Sequence, residues 1–232
     1  MMMKRFLTVL MVSACTIVAH AQYQAGDTFV YPRIGFSIAN LTNNNIYYSL
    51  DNQRVESKAK AGLAVGVEVE RFVSNPLSLS VGLMYANQGC KFPDFGIDDK
   101  ENKTFWNVEG QKTTLHYLQL PVLANLYVAD GLALKAGVAF GYLLKANQYG
   151  MENEGVIEDD GLYTIKTSND LSGNMNDFYR KFDFSIPIGV SYEYMGIVLD
   201  LRYHLGLTRV TKIVDNCKTS ALTFTLGYQF EL

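Results

Sequence analysis

The sequence predicts an all-β protein, an eight-stranded antiparallel up-and-down transmembrane β-barrel. Three observations predict it. Apolar and polar residues alternate with period two in eight segments, aromatic residues crowd the apolar phase, and a stretch with the marks of an export signal precedes them all. Successive side chains of a strand point to opposite faces, so each such segment is two-faced. A barrel with an apolar outside and a polar inside is the arrangement of outer-membrane proteins.

The signal comes first. Met1 to Arg5 closes on Lys4-Arg5, Phe6 to Ala19 runs apolar, and Ala19-His20-Ala21 is a small-x-small cleavage site. Residues 1–21 are therefore read as a secretory signal peptide and residues 22–232 as one barrel domain. Val12-Ser13-Ala14-Cys15 also has the form of a lipid-attachment site, so an anchored protein starting at Cys15 is the rival reading. The apolar run nevertheless continues past Cys15 through Ala19. No other stretch approaches the ~18–20 consecutive apolar residues of a spanning helix. Leu118 to Val128 comes nearest and is broken by Gln119, Pro121 and Asn125. Crossing thus falls to strands.

Without Lys4 and Arg5, 18 of the 20 basic residues remain against 23 acidic ones, which offers no basic stripe for nucleic acid. Cys90 and Cys217 are the cysteines beyond the signal. Export permits a disulfide between them, and both fall near strand ends assigned to the external side. A bridge and two unpaired thiols both stay open.

Strand one covers about Tyr31 to Leu41, with Ile34, Phe36 and Ile38 opposed by Arg33, Gly35 and Ser37. Strand two, about Ala61 to Phe72, sets Leu63, Val65, Val67 and Val69 against Gly66, Glu68 and Glu70. Ser74-Asn75-Pro76 is a tight turn. Strand three, Leu77 to Lys91, opposes Leu79, Val81, Leu83 and Tyr85 to Ser78, Ser80, Gly82 and Gln88. Strand four, about Thr113 to Val128, alternates less cleanly, and Pro121 removes a ladder donor, so a bulge is expected there. Ala129-Asp130-Gly131 turns the chain into strand five, Leu132 to Lys145, with Lys135 and Lys145 on the polar phase. Strand six runs about Phe182 to Met195, and Met195-Gly196 is a minimal hairpin turn. Strand seven opposes Leu199, Leu201, Tyr203 and Leu205 to Asp200, Arg202, His204 and Gly206. In strand eight, Leu222, Phe224, Leu226, Tyr228, Phe230 and Leu232 share the apolar phase.

Connection lengths agree. Short turns alternate strictly with long polar links at about Thr42–Lys60, Phe92–Lys112, Asn147–Lys181 and Arg209–Lys218. Outer-membrane barrels have short periplasmic turns and long external loops. Even strand number leaves both ends of the barrel domain on the periplasmic side.

The polar phase collects Arg33, Glu68, Glu70, Lys135, Asp183, Glu193, Asp200, Arg202, His204 and Glu231. Such groups cost a few kcal/mol each when turned to hydrocarbon, so they are expected inside. Eight strands leave room only for side chains, and the expectation is a charge-networked plug rather than an open pore. Tyrosines at strand ends of the apolar phase (Tyr85, Tyr142, Tyr192, Tyr194, Tyr203, Tyr228) suit rings that straddle lipid and water. A soluble ligand-carrying barrel would instead bury the apolar phase. Its large side chains on nearly every strand would not fit inside eight strands.

Several segments resemble the PorT-like outer-membrane β-barrel family of Bacteroidetes: Gly82 to Tyr85 with Gln88-Gly89, Tyr117 to Pro121, and Ala136 to Tyr142. Phe182-Asp183 and Leu201 to Leu207 do so as well. The resemblance spans roughly Pro32 to Leu232 and implies an eight-stranded barrel. Because the founding member is associated with type IX secretion, it also implies an accessory role in that system as an alternative function.

Catalytic chemistry has few candidates. Beyond the signal the histidines are His116 and His204; the second reads as a hydrogen-bonded interior residue and the first as an interfacial one. Between Glu152 and Asp177 seven acids stand against Lys166 alone. That run reads as a solvated loop, with carboxylate binding of Ca²⁺ as the rival. The expectation is thus a non-enzymatic barrel with no cofactor. Its role is structural or surface-interacting through the external loops, with rim binding of lipid or a small ligand as a further alternative. Its partners would be outer-membrane lipid, unnamed proteins at the loops, and the assembly machinery during biogenesis. Tyr228, Phe230 and Leu232 would form the insertion signal which that machinery reads.

Overall fold

The computed structural model describes residues 23–48 and 53–232. The expected signal peptide and the alternative lipid site at Cys15 lie outside the described residues. Eight strands form a closed ring: β1 (Thr28–Leu41), β2 (Lys58–Ser74), β3 (Leu77–Lys91), β4 (Thr104–Ala129), β5 (Leu132–Ile157), β6 (Phe182–Tyr194), β7 (Ile197–Gly206) and β8 (Thr219–Tyr228). Phe230–Glu231 continues β8 after a break at Gln229. Each strand pairs antiparallel with its neighbours in sequence, and β1 closes the ring on β8 through pairs such as Phe36 with Phe224. Closure leaves the barrel wall no unpaired edge.

The three short turns sit where expected. Met195 and Gly196 both have positive φ, 52° and 81°, the backbone that a two-residue turn matched to strand twist requires. Around Pro121 the outcome differs from expectation: there is no bulge. The β3–β4 register is the same on either side of the proline, Val81 with Val122 and Met84 with Gln119, and only the rungs between them are missing. Gly82 makes this workable, because a Cβ there would lie 3.2 Å from Pro121 Cγ. The true irregularities of β4–β5 fall elsewhere, one of them between His116 and Tyr117. That shift puts Lys145 opposite the outward His116, so Lys145 is exposed on the outer wall and does not join the lumen phase.

The outward rows are apolar on every strand. Ile34, Leu63, Leu79, Leu120, Phe140, Ile188, Leu201 and Leu226 are all exposed. A soluble monomer rarely shows an apolar patch beyond a few hundred Å², whereas this one encircles the molecule. Tyr192, Tyr194 and Tyr228 mark its periplasmic edge, and Tyr142 and Tyr203 its external side.

Two strands are longer than expected. β4 and β5 each have 26 residues and rise past the barrel. Phe95–Asp99 pairs with β4 and Tyr163–Asp170 with β5. Much of the two longest connections, expected to be polar loops, is therefore a four-stranded external sheet. A small hairpin, Asn45–Tyr47 with Arg54–Glu56, lies in the first connection.

Inside, three layers stack along the barrel axis. At the periplasmic end Tyr23, Phe29, Tyr31, Phe72 and Tyr127 pack together, with Tyr23 stacked on Phe72 at 4.4 Å. The charged layer lies in the middle. Toward the outside, Leu41, Leu115, Tyr117, Leu143, Val210 and the two cysteines form an apolar cluster with loop residues.

Candidate functional site

The charged layer is built from alternate residues of β1, β2, β5 and β7, whose inward phase the zigzag fixes. Glycine on neighbouring strands makes room for these long side chains. Lys135 and Arg202 both pair in register with Gly189. A Cβ on Gly189 would lie 2.9 Å from Arg202 Cγ. Gly227, opposite Arg33, would likewise place a Cβ 3.0 Å from Arg33 Cγ.

Three bases and three acids meet there. Arg202 lies 2.8 Å from Glu68 and 2.7 Å from Asp200. Arg33 lies 3.1 Å from Asp200 and 3.4 Å from Glu68. Lys135 Nζ is 3.3 Å from Asp200, 3.5 Å from Glu68 and 4.0 Å from Glu70. Glu70 also accepts hydrogen bonds from Ser78 Oγ and, at 2.8 Å, from Tyr127 OH. Glu68 is fully buried and Asp200 is 2 % exposed, so the six formal charges cancel out of reach of water. Burial of ions is tolerable only with this degree of pairing. A cavity of about 20 Å³, lined by Arg33, Gln119, Asp200, Arg202 and His204 among others, is the space left beside the network.

The other predicted lumen residues do not join these pairs. Asp183 is buried and accepts a 2.6 Å hydrogen bond from Thr208 Oγ1. His204 is buried and its Nδ1 has no partner. Glu193 sits at the periplasmic end, where it accepts from the Gly196 N–H at 2.7 Å and from Tyr23 OH at 3.3 Å. Glu231 is exposed. Tyr23 was not singled out by the sequence because it precedes the first strand. Burial pushes its phenol up to about 12.

Cys90 and Cys217 are free thiols, both fully buried in the external apolar cluster. The bridge that the sequence permits is therefore not formed in this structure. Burial pushes the Cys217 thiol up to about 12. Tyr228, Phe230 and Leu232 are exposed on the outer wall, with the first two rings 4.9 Å apart. His116 Nδ1 lies 2.6 Å from Tyr85 OH near the external rim.

The external sheet is the second feature. Residues 94–110 and 151–170 carry eleven acids against three lysines. Trp106 is fixed by its 2.7 Å hydrogen bond to Glu152, and Tyr163 by one of 2.7 Å to Asp98 and an edge-on contact with Phe105. Hydrogen bonds from the Asn102 side chain and backbone hold Asp99 below the usual carboxylate range, and those from Ser172 do the same for Asp170. A hollow of about 610 Å³ is lined by Tyr48, Ile97, Phe105, Trp106, Glu154 and Lys166 among others. Among the described residues no group of three or more His, Cys, Asp or Glu is placed to hold a metal ion.

The chain is similar to the attachment invasion locus protein Ail of Yersinia pestis at 12 % identity, covering 89 % of this chain and 100 % of that one, with a TM-score of 0.42. Neisserial surface protein A is similar at 11 % identity, over 88 % and 97 % of the two chains, with a TM-score of 0.38. The E. coli Outer Membrane Protein W is similar at 14 % identity, over 90 % and 100 %, with a TM-score of 0.36. No curated protein matches. The family model described as "Outer membrane protein beta-barrel domain" matches residues 21–212. An eight-stranded ring, a lipid-facing apolar coat and that match together make this chain an integral outer-membrane protein belonging to the outer membrane beta-barrel domain family.

Proposed function

We propose that this barrel is a non-enzymatic surface protein that works through its external sheet and not through its lumen. The observation that carries the reading is the contrast between the two. The lumen is closed by an ionic layer lying between two apolar ones. The sheet outside presents eleven acids against three lysines, with Ile97, Met151, Tyr163 and Ile165 exposed among them. Apolar groups set in a field of one charge suit recognition of a partner of opposite charge, a basic protein surface. The non-enzymatic reading is supported by His204, which is sealed in the lumen, and by His116, which is engaged by Tyr85 on the outer wall.

Two measurements test it. The reconstituted protein is expected to give no steady conductance in a planar bilayer. Cells displaying it are expected to retain a basic polypeptide in a salt-sensitive way, and to lose that retention when Asp98, Asp99 and Glu154 become amides. Open-channel currents, or retention unaffected by the amides, would overturn the proposal.

The resemblance to PorT-like barrels rests on the strand motifs alone. An accessory part in secretion would require deletion of the gene to impair export of secreted cargo. Rim binding of a small ligand is favoured by the aromatic hollow at Trp106 and Tyr48. Quenching of Trp106 fluorescence by a ligand would be its signature.

A further inference from the structure

The outer wall carries a feature used by neither the plug nor the external sheet. Where β2, β3, β4 and β5 leave the apolar band on the external side, lysines stand side by side. Lys58 pairs in register with Lys91, and Lys91 with Lys112, so three ammonium groups share one row across three neighbouring strands. Closer to the membrane, Asn87 faces His116 and His116 faces Lys145. Lys60 Nζ donates to Asn87 Oδ1 at 2.8 Å.

No acid stands in the row itself; the nearest in sequence are Glu56, Asp94 and Glu109, beyond its outer edge. Residues 57–61, 85–91, 111–117 and 142–149 contain no Asp or Glu. None of the five lysines belongs to an ion pair among the described residues. Like charges directly opposite one another destabilise a sheet. The periplasmic edge is the reverse: Asp27, Asp130 and Glu231 all fall at that end of the barrel, and Arg71 pairs in register with Thr28 there.

The height of the row names the counter-charge. Exposed Leu63, Leu83, Leu120 and Phe140 lie below it on the same four strands. With a rise of ~3.3 Å per residue and a tilt of ~40°, the four residues from His116 to Lys112 span about 10 Å of height. Donors therefore come in two tiers. Tyr85, Asn87, His116 and Lys145 stand at the edge of the hydrocarbon, and the half-buried Lys60 reaches Asn87 there. Lys58, Lys91 and Lys112 stand above, the last with its Nζ 5.0 Å from the centre of the Tyr149 ring. An anion that meets both tiers and also covers the leucines below carries phosphates on a sugar headgroup and acyl chains beneath it.

We propose that the outer wall of β2–β5 is a binding site for a phosphorylated saccharolipid of the outer leaflet, its phosphates held between the two lysine tiers. The proposal uses only the membrane orientation, and is independent of what the acidic sheet contacts.

Native mass spectrometry of the full chain folded in detergent micelles tests it, with three probes: bisphosphorylated lipid A, the same lipid without phosphates, and inorganic phosphate. The bisphosphorylated lipid is expected to be retained at least tenfold more tightly than the dephosphorylated one, and inorganic phosphate not at all. Substituting Lys58, Lys91 and Lys112 together by Gln is expected to weaken retention about a hundredfold, since each lysine near an anionic lipid surface contributes about a factor of five. Arg71→Gln, at the opposite edge, is expected to change nothing. Lys60→Gln with Lys145→Gln is the second variant should the first not fold. Equal retention of the two lipids, retention unaltered by a folded variant, or inorganic phosphate held as tightly as the lipid would overturn the proposal. Amide variants of the acidic sheet are expected to keep the lipid, which separates this result from failure of the functional reading.

Discussion

The guanidinium of Arg202 lies 2.8 Å from the carboxylate of Glu68 across the lumen, although β7 and β2 never pair. This contact, with those of Arg33 and Lys135 to the same carboxylate, ties opposite walls of the barrel together. Removing one partner leaves an uncompensated charge where water does not reach, at a typical cost of 3–5 kcal/mol. Glu68→Gln is expected to lower the midpoint of urea unfolding accordingly. Combining it with Arg202→Met is expected to recover part of the loss, because the remaining charges again balance. A double variant that is simply the sum of its parts would show that the two residues do not act as a pair.

Gly189 is expected to be intolerant of any side chain. A Cβ there would lie 2.4 Å from Leu201 O and 2.9 Å from Arg202 Cγ, so Arg202 would have to leave Asp200 and Glu68. Gly189→Val should therefore destabilise the barrel about as much as removing Arg202 itself. Gly26, where nothing stands within 4 Å, is a poor control because its φ is +105°. Gly173, with open space and an ordinary backbone, is the proper one. Gly173→Ala should leave the unfolding midpoint unchanged.

How much of this was legible follows from what period two can encode. Alternation reports a difference between faces, so it located all eight barrel strands, and β3 to the residue. It is silent where the buried face is itself polar or small, as with Asn153 and Gly155, and where both faces meet water, as along Tyr163 to Asp170; strands there look like loops in the sequence. Phase also says which face a residue takes, but not its height. Glu68, Glu193 and Glu231 share the inward phase, yet only Glu68 reaches the network, because the other two lie at the periplasmic end. The apolar inner layers escaped for a related reason. Leu115, Tyr117 and Leu143 face inward where β4 and β5 leave the barrel for the external sheet, and loop residues such as Val210 and Cys217 pack onto them.

Cys217 offers a pH test outside the membrane. Its folded pKa, pushed up to about 12 by burial, stands above the ordinary value of 9.0. The protonated thiol is thus favoured by folding. Its contribution is complete below pH 9 and disappears as pH rises toward 12. Reaction of native protein with a thiol reagent at pH 8 is expected to be much slower than after unfolding, and to accelerate at higher pH. In the chain without residues 1–21, two thiols should be counted after unfolding without reductant, as free Cys90 and Cys217 require. A count of none would mean that the bridge permitted by the sequence forms in the envelope.

The chain's last residues give the final prediction. After the break at Gln229, Phe230 pairs with Val30 and Glu231 with Phe29, and the Leu232 N–H donates to Thr28 O at 2.9 Å. These contacts close the seam between first and last strands at the periplasmic end. They also turn Phe230 outward beside Tyr228. Truncation after Tyr228 removes both features at once, so the polypeptide is expected to accumulate in the periplasm. Phe230→Ala separates them: it keeps the backbone ladder and deletes only the ring. If the ring is the insertion signal, Phe230→Ala should also reduce outer-membrane recovery in cells, while the same variant refolds normally into micelles. Equal recovery of Phe230→Ala and wild type, with loss confined to the truncation, would assign the role to seam closure alone.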